Sequence, residues 1–151
     1  MNVAIYNIPR LEVQRLIAAS PHITLSKTEL KQLDNCMYIS SGIFAGLVED
    51  DLACVWGLVP PTLMSNQAYL WLYTTPLVEQ HKFLLVRHSQ RWIEQVLKEY
   101  DTIVGFCKPE NKAAIKWIEW LGGSFKRPFG ERAEFVIRNQ DFGRPLYSYS
   151  N

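Results

Sequence analysis

A long helical pattern between two apolar strands constrains the fold of this chain more than any other feature of its sequence. Residues 68–74 are dense in Trp, Tyr and Leu, which favours a β-strand. Thr75 and Pro76 suit the cap and the first turn of a helix that reaches about Tyr100. A second strand, residues 102–107, follows that helix, so we expect the helix to cross over between strands of one sheet.

The N-terminal half of the chain predicts three strands and two helices. In chain order they are a strand at residues 3–6, a helix from Asn7 to Ser20, a helix from Ser26 to about Asn35, and strands at residues 42–48 and 52–59. Ser26 and Glu29 form a capping box, in which a hydroxyl and a carboxylate bind the free amides of the helix start. Leu11 and Leu30 are expected on the apolar faces of the two helices. The polar residues 49–51 predict a hairpin between the two strands.

The C-terminal half ends in a helix and two short strands. Asn111 opens this last helix, which stops at Gly122 and Gly123 because the left-handed backbone of a helix end favours glycine. Closing strands are expected at residues 124–129 and 132–137. The full order is β-α-α-β-β-β-α-β-α-β-β. It predicts an α/β (α+β) protein with a mixed, mostly antiparallel central sheet flanked by about four helices.

Length and composition indicate one ordinary globular domain. The chain has 151 residues, and we expect a single domain over residues 1–138 followed by a tail over residues 139–151. Hydrophobic residues make up 48% and the net charge is +1, which excludes a disordered chain and gives no overall reason to bind nucleic acid. No apolar run is long enough for a membrane span, and the N-terminus does not look like a signal peptide.

The cysteines and histidines do not indicate a metal site. The cysteines form no C-x-x-C pair, so we expect reduced and mostly buried thiols at Cys36, Cys54 and Cys107. The histidines are scattered, without the spacing that metal ligands on one helix need: His22, His81 and His88. No metal is therefore predicted.

The order of elements resembles the GNAT fold, the superfamily of acyl-CoA-dependent N-acyltransferases, over about residues 1–138. Residues 71–125 look more specifically like a group of tailed-phage proteins with a GNAT-like domain, which includes the small internal virion protein of short-tailed phages. The matching motifs are R-H-S-Q-R-W in the long helix and N-K-A-A-I-K-W-I-E-W-L-G-G-S-F at the last helix. The resemblance implies a phage protein of the virion or the host cytoplasm, with other phage or host proteins as partners.

The resemblance also implies where a cofactor would bind. In GNAT enzymes a glycine-rich turn between the central strand and the long helix holds the coenzyme A pyrophosphate, because backbone amides and the helix dipole attract an anion. The corresponding residues 77–84 contain no glycine here, and Glu79 carries the wrong charge. The expected cofactor is therefore none, or acetyl-CoA if the protein is active. The candidate cofactor-binding residues are Thr75, Gln80, His81, Lys82 and Asn111.

The catalytic groups that the family implies are not evident. GNAT enzymes hold the pantetheine arm with an Asn at the position of Asn111, but an Asn at a helix start is also an ordinary cap, and both interpretations stay open. Ile118 stands where many GNAT enzymes have a Tyr acid, and it cannot donate a proton. The catalytic residues are thus unknown. We favour a degenerate GNAT-like protein of virion assembly or host interaction over an active N-acetyltransferase that modifies a host or phage amine.

The tail carries a second candidate site. Its apolar and aromatic side chains are expected to dock on this domain or on a neighbouring chain, which would make an oligomer through the tail. These partner-binding residues are Phe142, Leu146, Tyr147 and Tyr149.

Overall fold

The computed structural model describes residues 3–21, 23–60 and 66–142. Its elements follow the predicted order. They are β1 (Val3–Asn7), α1 (Arg10–Ala19), α2 (Lys27–Ile39), β2 (Gly42–Val48), β3 (Asp51–Val59), β4 (Gln67–Thr74), α3 (Leu77–Glu99), β5 (Thr102–Cys107), α4 (Lys112–Trp120), β6 (Ser124–Phe125) and β7 (Ala133–Arg138). A short 3₁₀ helix, Asn139–Asp141, follows β7.

The seven strands form one mixed, mostly antiparallel sheet in the order β1-β2-β3-β4-β5-β7-β6. β4 and β5 pair in parallel, and the helix α3 joins them as the crossover that a parallel pair needs. The pairs β1–β2, β2–β3, β5–β7 and β6–β7 are antiparallel. The predicted fold class is therefore confirmed. The described chain divides into two compact units, and each is treated by itself below.

The first unit is drawn from Met1–Val59 and Trp71–Leu85, and it contains β1, β2, β3, α1 and α2. Its core includes the fully buried side chains of Val13, Leu52 and Leu85. Gly57 is required in β3, because a Cβ atom there would collide with the indole ring of Trp71. That indole is itself fixed in place, since its Nε1 donates a hydrogen bond of 2.6 Å to the Ser40 hydroxyl.

The second unit is drawn from Pro60–Leu70 and Val86–Asn151, and its core is rich in isoleucine. Ile103 of β5, Ile118 of α4 and Ile137 of β7 are all buried, so the helix and both strands contribute to one apolar interior. Gly122 ends α4 with a φ of 95°, a left-handed conformation in which glycine avoids the Cβ clash. The prediction that glycine stops this helix is confirmed.

Several boundaries differ from the prediction. Asn7 belongs to β1, and α1 begins at Arg10 with Pro9 as its N-terminal flanking residue, so the predicted Asn7 cap is wrong. The helix α2 continues to Ile39, whereas β6 is only two residues long. The capping box at the start of α2 is confirmed, since both of its reciprocal hydrogen bonds are 3.1 Å long.

The β2–β3 hairpin turns without a glycine. Val48 pairs with Asp51, which leaves a two-residue loop of Glu49 and Asp50 with φ angles of 51° and 71°. Two-residue loops of this kind match the twist of the strands, and Asn-Gly is their preferred sequence. Glu49 and Asp50 therefore hold a conformation that L-residues adopt only at a cost.

We expect Asp50→Gly to stabilise the protein by about 1 kcal/mol, because glycine adopts a positive φ without the Cβ clash. Urea unfolding measures the change. Asp51→Gly is the matched control: it makes the same substitution one residue later, in β3, where it should destabilise. Equal effects of the two substitutions would show that the turn conformation carries no cost.

Candidate functional site

Thr75 fixes the end of β4 against β3. Its side chain is buried, and its hydroxyl lies 2.9 Å from the carbonyl oxygen of Leu52 and 3.0 Å from that of Ala53. Its backbone amide donates to the same Ala53 carbonyl at 2.8 Å. Because α3 begins at Leu77, the residue directly before the helix is Pro76, and the prediction that Thr75 caps the helix is wrong. Thr75 instead holds the strand from which the helix starts.

The helix α3 has a break close to its start. His81 has φ −130° and ψ 22°, which is not helical, so a short turn over residues 77–80 precedes a regular segment over residues 82–99. A helix that starts anew has backbone amides with no helical carbonyl to bind, and these amides carry the positive end of the dipole. Gln80, His81 and Lys82 thus lie together at this break, and Gln80 and Lys82 are exposed.

Bulky side chains surround the break. Phe83 is 83% exposed and Leu84 is 45% exposed. The spacing of apolar residues in the sequence predicts Leu84 on the buried face of this helix, and that prediction is wrong. The Lys82 ammonium lies 6.0 Å from the centre of the Phe83 ring, at the outer limit of a cation–π contact. Glu79, also exposed, adds a negative charge to the short turn that precedes the break. An approaching anion would therefore meet side chains and a carboxylate before it reached the backbone amides.

Asn111 lies in the second unit, at the start of α4. Its side-chain oxygen accepts a hydrogen bond of 3.1 Å from the backbone amide of Ala114, so the capping interpretation is confirmed. The structure thus gathers Thr75, Gln80, His81 and Lys82 around the start of α3 and describes Asn111 as part of a separate unit. The pantetheine role of Asn111 stays a prediction.

The position expected for a catalytic acid contains no proton donor. Ile118 is buried, and the indole of the neighbouring Trp117 donates to the Ser89 hydroxyl at 2.8 Å. The Ser89 hydroxyl in turn donates to the Val86 carbonyl at 2.8 Å, one helical turn earlier. Both polar groups are thus used to pack α4 against the C-terminal part of α3, within the second unit.

Tyr73 is a proton donor that the sequence reasoning missed. It is half-buried near the end of β4, two residues before Thr75. Burial raises the pKa of its phenol, and the nearby negative charge of Glu29 raises that pKa further, so the group stays protonated at neutral pH. In the sequence, the only sign of such a role is the position of this Tyr at the end of the central strand. The strand is rich in Trp and Tyr, so a single Tyr does not stand out as a proton donor.

The three cysteines are free, and two of them are buried. Burial raises the pKa of the Cys54 thiol to about 12 and that of Cys107 to about 11. It also raises the pKa of Cys36, which is only half-buried. Since the thiolate is the nucleophile, none of these thiols is activated for covalent catalysis at neutral pH.

The tail begins with an anchored turn. The Asn139 side chain donates to the Leu97 carbonyl at 3.1 Å, and its amide donates to the Asp101 carbonyl at 3.1 Å. Phe142, the next apolar residue, is half-buried. The other predicted partner-binding residues of the tail lie outside the described residues: Leu146, Tyr147 and Tyr149.

Neither a family model nor a curated protein matches the sequence. Solved structures do match, and one is the PaiA N-acetyltransferase from Thermoplasma acidophilum in complex with coenzyme A, at 13% identity and a TM-score of 0.63 over 91% of this chain and 99% of that one. The GNAT domain of S. lividans PAT matches at 12% identity and a TM-score of 0.63, over 90% of both chains. This chain has the GNAT acetyltransferase fold.

A chimaera of the spermidine N-acetyltransferase SpeG from Vibrio cholerae and hSSAT is similar over 93% of this chain and 97% of its own, at 13% identity and a TM-score of 0.61. Identities this low extend the GNAT likeness to the fold and not to the activity.

Among the described residues, no helix is both long and apolar enough to cross a membrane. The same residues contain no group of three metal-ligating side chains.

We expect Thr75→Val to destabilise the protein by about 1–3 kcal/mol, because it leaves buried β3 carbonyls without the hydroxyl that binds them. Thr75→Ser is the control, since it keeps the hydroxyl and removes only a methyl group. Urea unfolding of both variants measures the difference. A valine variant that is as stable as the serine variant would contradict a structural role of the hydroxyl.

Proposed function

We propose that this chain is a bacteriophage protein that has kept the GNAT fold without its acetyl transfer, and that it works by binding other proteins in virion assembly or in the host. The start of α3 carries this proposal. No glycine occurs in residues 77–84, and the break at His81 is surrounded by the exposed side chains of Glu79, Lys82, Phe83 and Leu84. A phosphate that binds backbone amides needs close approach, which such side chains obstruct.

The other family positions support the same conclusion. The Asn111 oxygen is engaged in capping α4, and Ile118 offers no proton for a thiolate leaving group. The Thr75 hydroxyl donates its proton to β3. Of the groups that the resemblance assigns to cofactor binding or catalysis, Thr75 and Asn111 are thus occupied in holding the fold, and Ile118 is chemically inert.

The proposal that this is a phage protein rests on the sequence alone. Residues 71–125 resemble tailed-phage proteins with a GNAT-like domain, and this stretch contains α3, β5 and α4. Proteins of that group include an internal virion protein, so we place this chain in the virion or in the host cytoplasm. Its partners would be phage or host proteins.

An active N-acetyltransferase is the second candidate, and the break in α3 favours it. A regular helical segment starts at Lys82, and the amides at a helix start attract anions, so Gln80, His81 and Lys82 would be the residues to hold the pyrophosphate of acetyl-CoA. Tyr73, a half-buried phenol near the end of β4, would be the candidate acid. The fit of these residues to the cofactor is poor, because Glu79 opposes its charge and the large side chains limit its approach.

Calorimetry with acetyl-CoA separates the two functions. We expect no binding heat up to about 1 mM acetyl-CoA, a concentration at which even a weak complex forms. Lys82→Glu and Asn111→Ala should then change nothing. Binding in the micromolar range that Lys82→Glu weakens would overturn the proposal, provided that Lys98→Glu does not weaken it. Lys98 is the matched control because it makes the same charge change at the exposed far end of α3.

The tail is the proposed partner-binding segment, and its apolar residues can be tested against its polar ones. The triple substitution Leu146→Ala, Tyr147→Ala and Tyr149→Ala should abolish any increase in sedimentation coefficient that a virion extract produces, or lower the melting temperature. Ser148→Ala with Ser150→Ala is the control in the same segment. Unchanged sedimentation and melting in the triple variant would rule out a docking role for these residues.

A further inference from the structure

The helices α1 and α2 enclose an apolar groove on the surface of the first unit. The groove has a volume of about 420 Å³, and its apolar lining consists of Ile17, Ala18, Leu30, Leu33 and Met37. Leu33 and Met37 are buried and form its floor, whereas Leu30 is 40% exposed. The groove lies wholly within α1 and α2, so it is separate from the start of α3.

Exposed apolar side chains extend this surface beyond the groove. Leu11 is 71% exposed and lies one turn of α1 before the groove residue Gln14. Tyr38 is 74% exposed and lies one turn of α2 after the groove residue Asp34. Leu11 was expected to be buried, and exposed apolar surface of this kind marks sites where proteins associate. A ligand small enough for the groove would leave both side chains in water, so the surface fits a macromolecule better.

Charged groups of both signs border the groove. The Asp34 carboxylate accepts a hydrogen bond of 2.6 Å from Gln14 and lies 3.6 Å from the Arg10 guanidinium. The same guanidinium lies over the Tyr38 ring, 5.2 Å from its centre, and so connects the charged border to the exposed aromatic. Lys31, one turn before Asp34 on α2, is exposed and makes no ion pair with a described residue. The border thus offers one cation and one carboxylate on the same helix face.

We propose that the α1–α2 face binds a second copy of this chain about a two-fold axis. Two α2 helices that run antiparallel across such an axis would bring Lys31 of each copy to Asp34 of the other, because the two residues are three positions apart on one face. The groove of each copy would take up an exposed apolar side chain of its partner. The proposed interface is therefore self-complementary in charge, and it brings the apolar groove of each copy to exposed apolar side chains of the other, as an isologous dimer requires. This proposal does not depend on whether acetyl-CoA binds.

Analytical ultracentrifugation across the micromolar range tests the dimer with the full chain. We expect a monomer–dimer equilibrium whose dissociation constant rises about tenfold or more in Leu11→Asp and in Lys31→Glu. Lys116→Glu is the matched control, because it makes the same charge change at an exposed position of α4. A protein that is monomeric at every concentration, or a dimer that neither variant weakens, would overturn the proposal.

Charge exchange gives a stricter test of the orientation. Lys31→Glu and Asp34→Lys should each weaken self-association, whereas an equimolar mixture of the two variants should form a heterodimer, since both ion pairs are then restored with reversed sign. Failure of the mixture to associate, with both variants folded by circular dichroism, would overturn the antiparallel arrangement. If Asp34→Lys does not fold because Arg10 and Gln14 lose their partner, the outcome for Leu11→Asp decides the proposal.

Discussion

The hydrogen bonds of Thr75 to β3 set the geometry on which the first unit depends. A buried hydroxyl and a backbone amide of one residue bind the carbonyls of Leu52 and Ala53, and they do so where β4 ends. Buried carbonyls that lose such donors carry a desolvation cost, so the junction is held firmly. α3 starts two residues later, at Leu77, so this junction holds the strand end that leads into the helix.

A phosphate that binds at the start of a helix needs access to the backbone amides, and residues 77–84 of this chain contain no glycine and expose the large side chains of Phe83 and Leu84. A fold can persist without its activity because the core that maintains it is separate from the groups that react. Ile118 illustrates this separation: its side chain packs in the core of the second unit at the position where the family resemblance implies a proton donor. Asn111 illustrates the same point in another way, since its side chain caps α4 at the position where the family resemblance implies a pantetheine contact.

The order of elements could be predicted well from the sequence, because each element has a strong local signal. The strands β2 and β5 have the predicted bounds, and the capping box and the glycine that ends α4 act through neighbouring residues alone. Less could be predicted about the site. The hydrogen-bond partner of the Thr75 hydroxyl lies on β3, more than twenty residues away in the sequence. The non-helical conformation of His81 could not be predicted either, because neither of its neighbours is a glycine or a proline.

The sequence by itself determined the GNAT-like alternation of strands and helices and the absence of glycine from residues 77–84, because local propensity and composition are properties of neighbouring residues. Only the tertiary structure decided which apolar residues are buried. Leu11 and Leu30 have the spacing of core residues, yet both are exposed on the α1–α2 face. Burial depends on what packs against a helix. The periodicity of apolar residues indicates only that one face of the helix is apolar, not which element covers it.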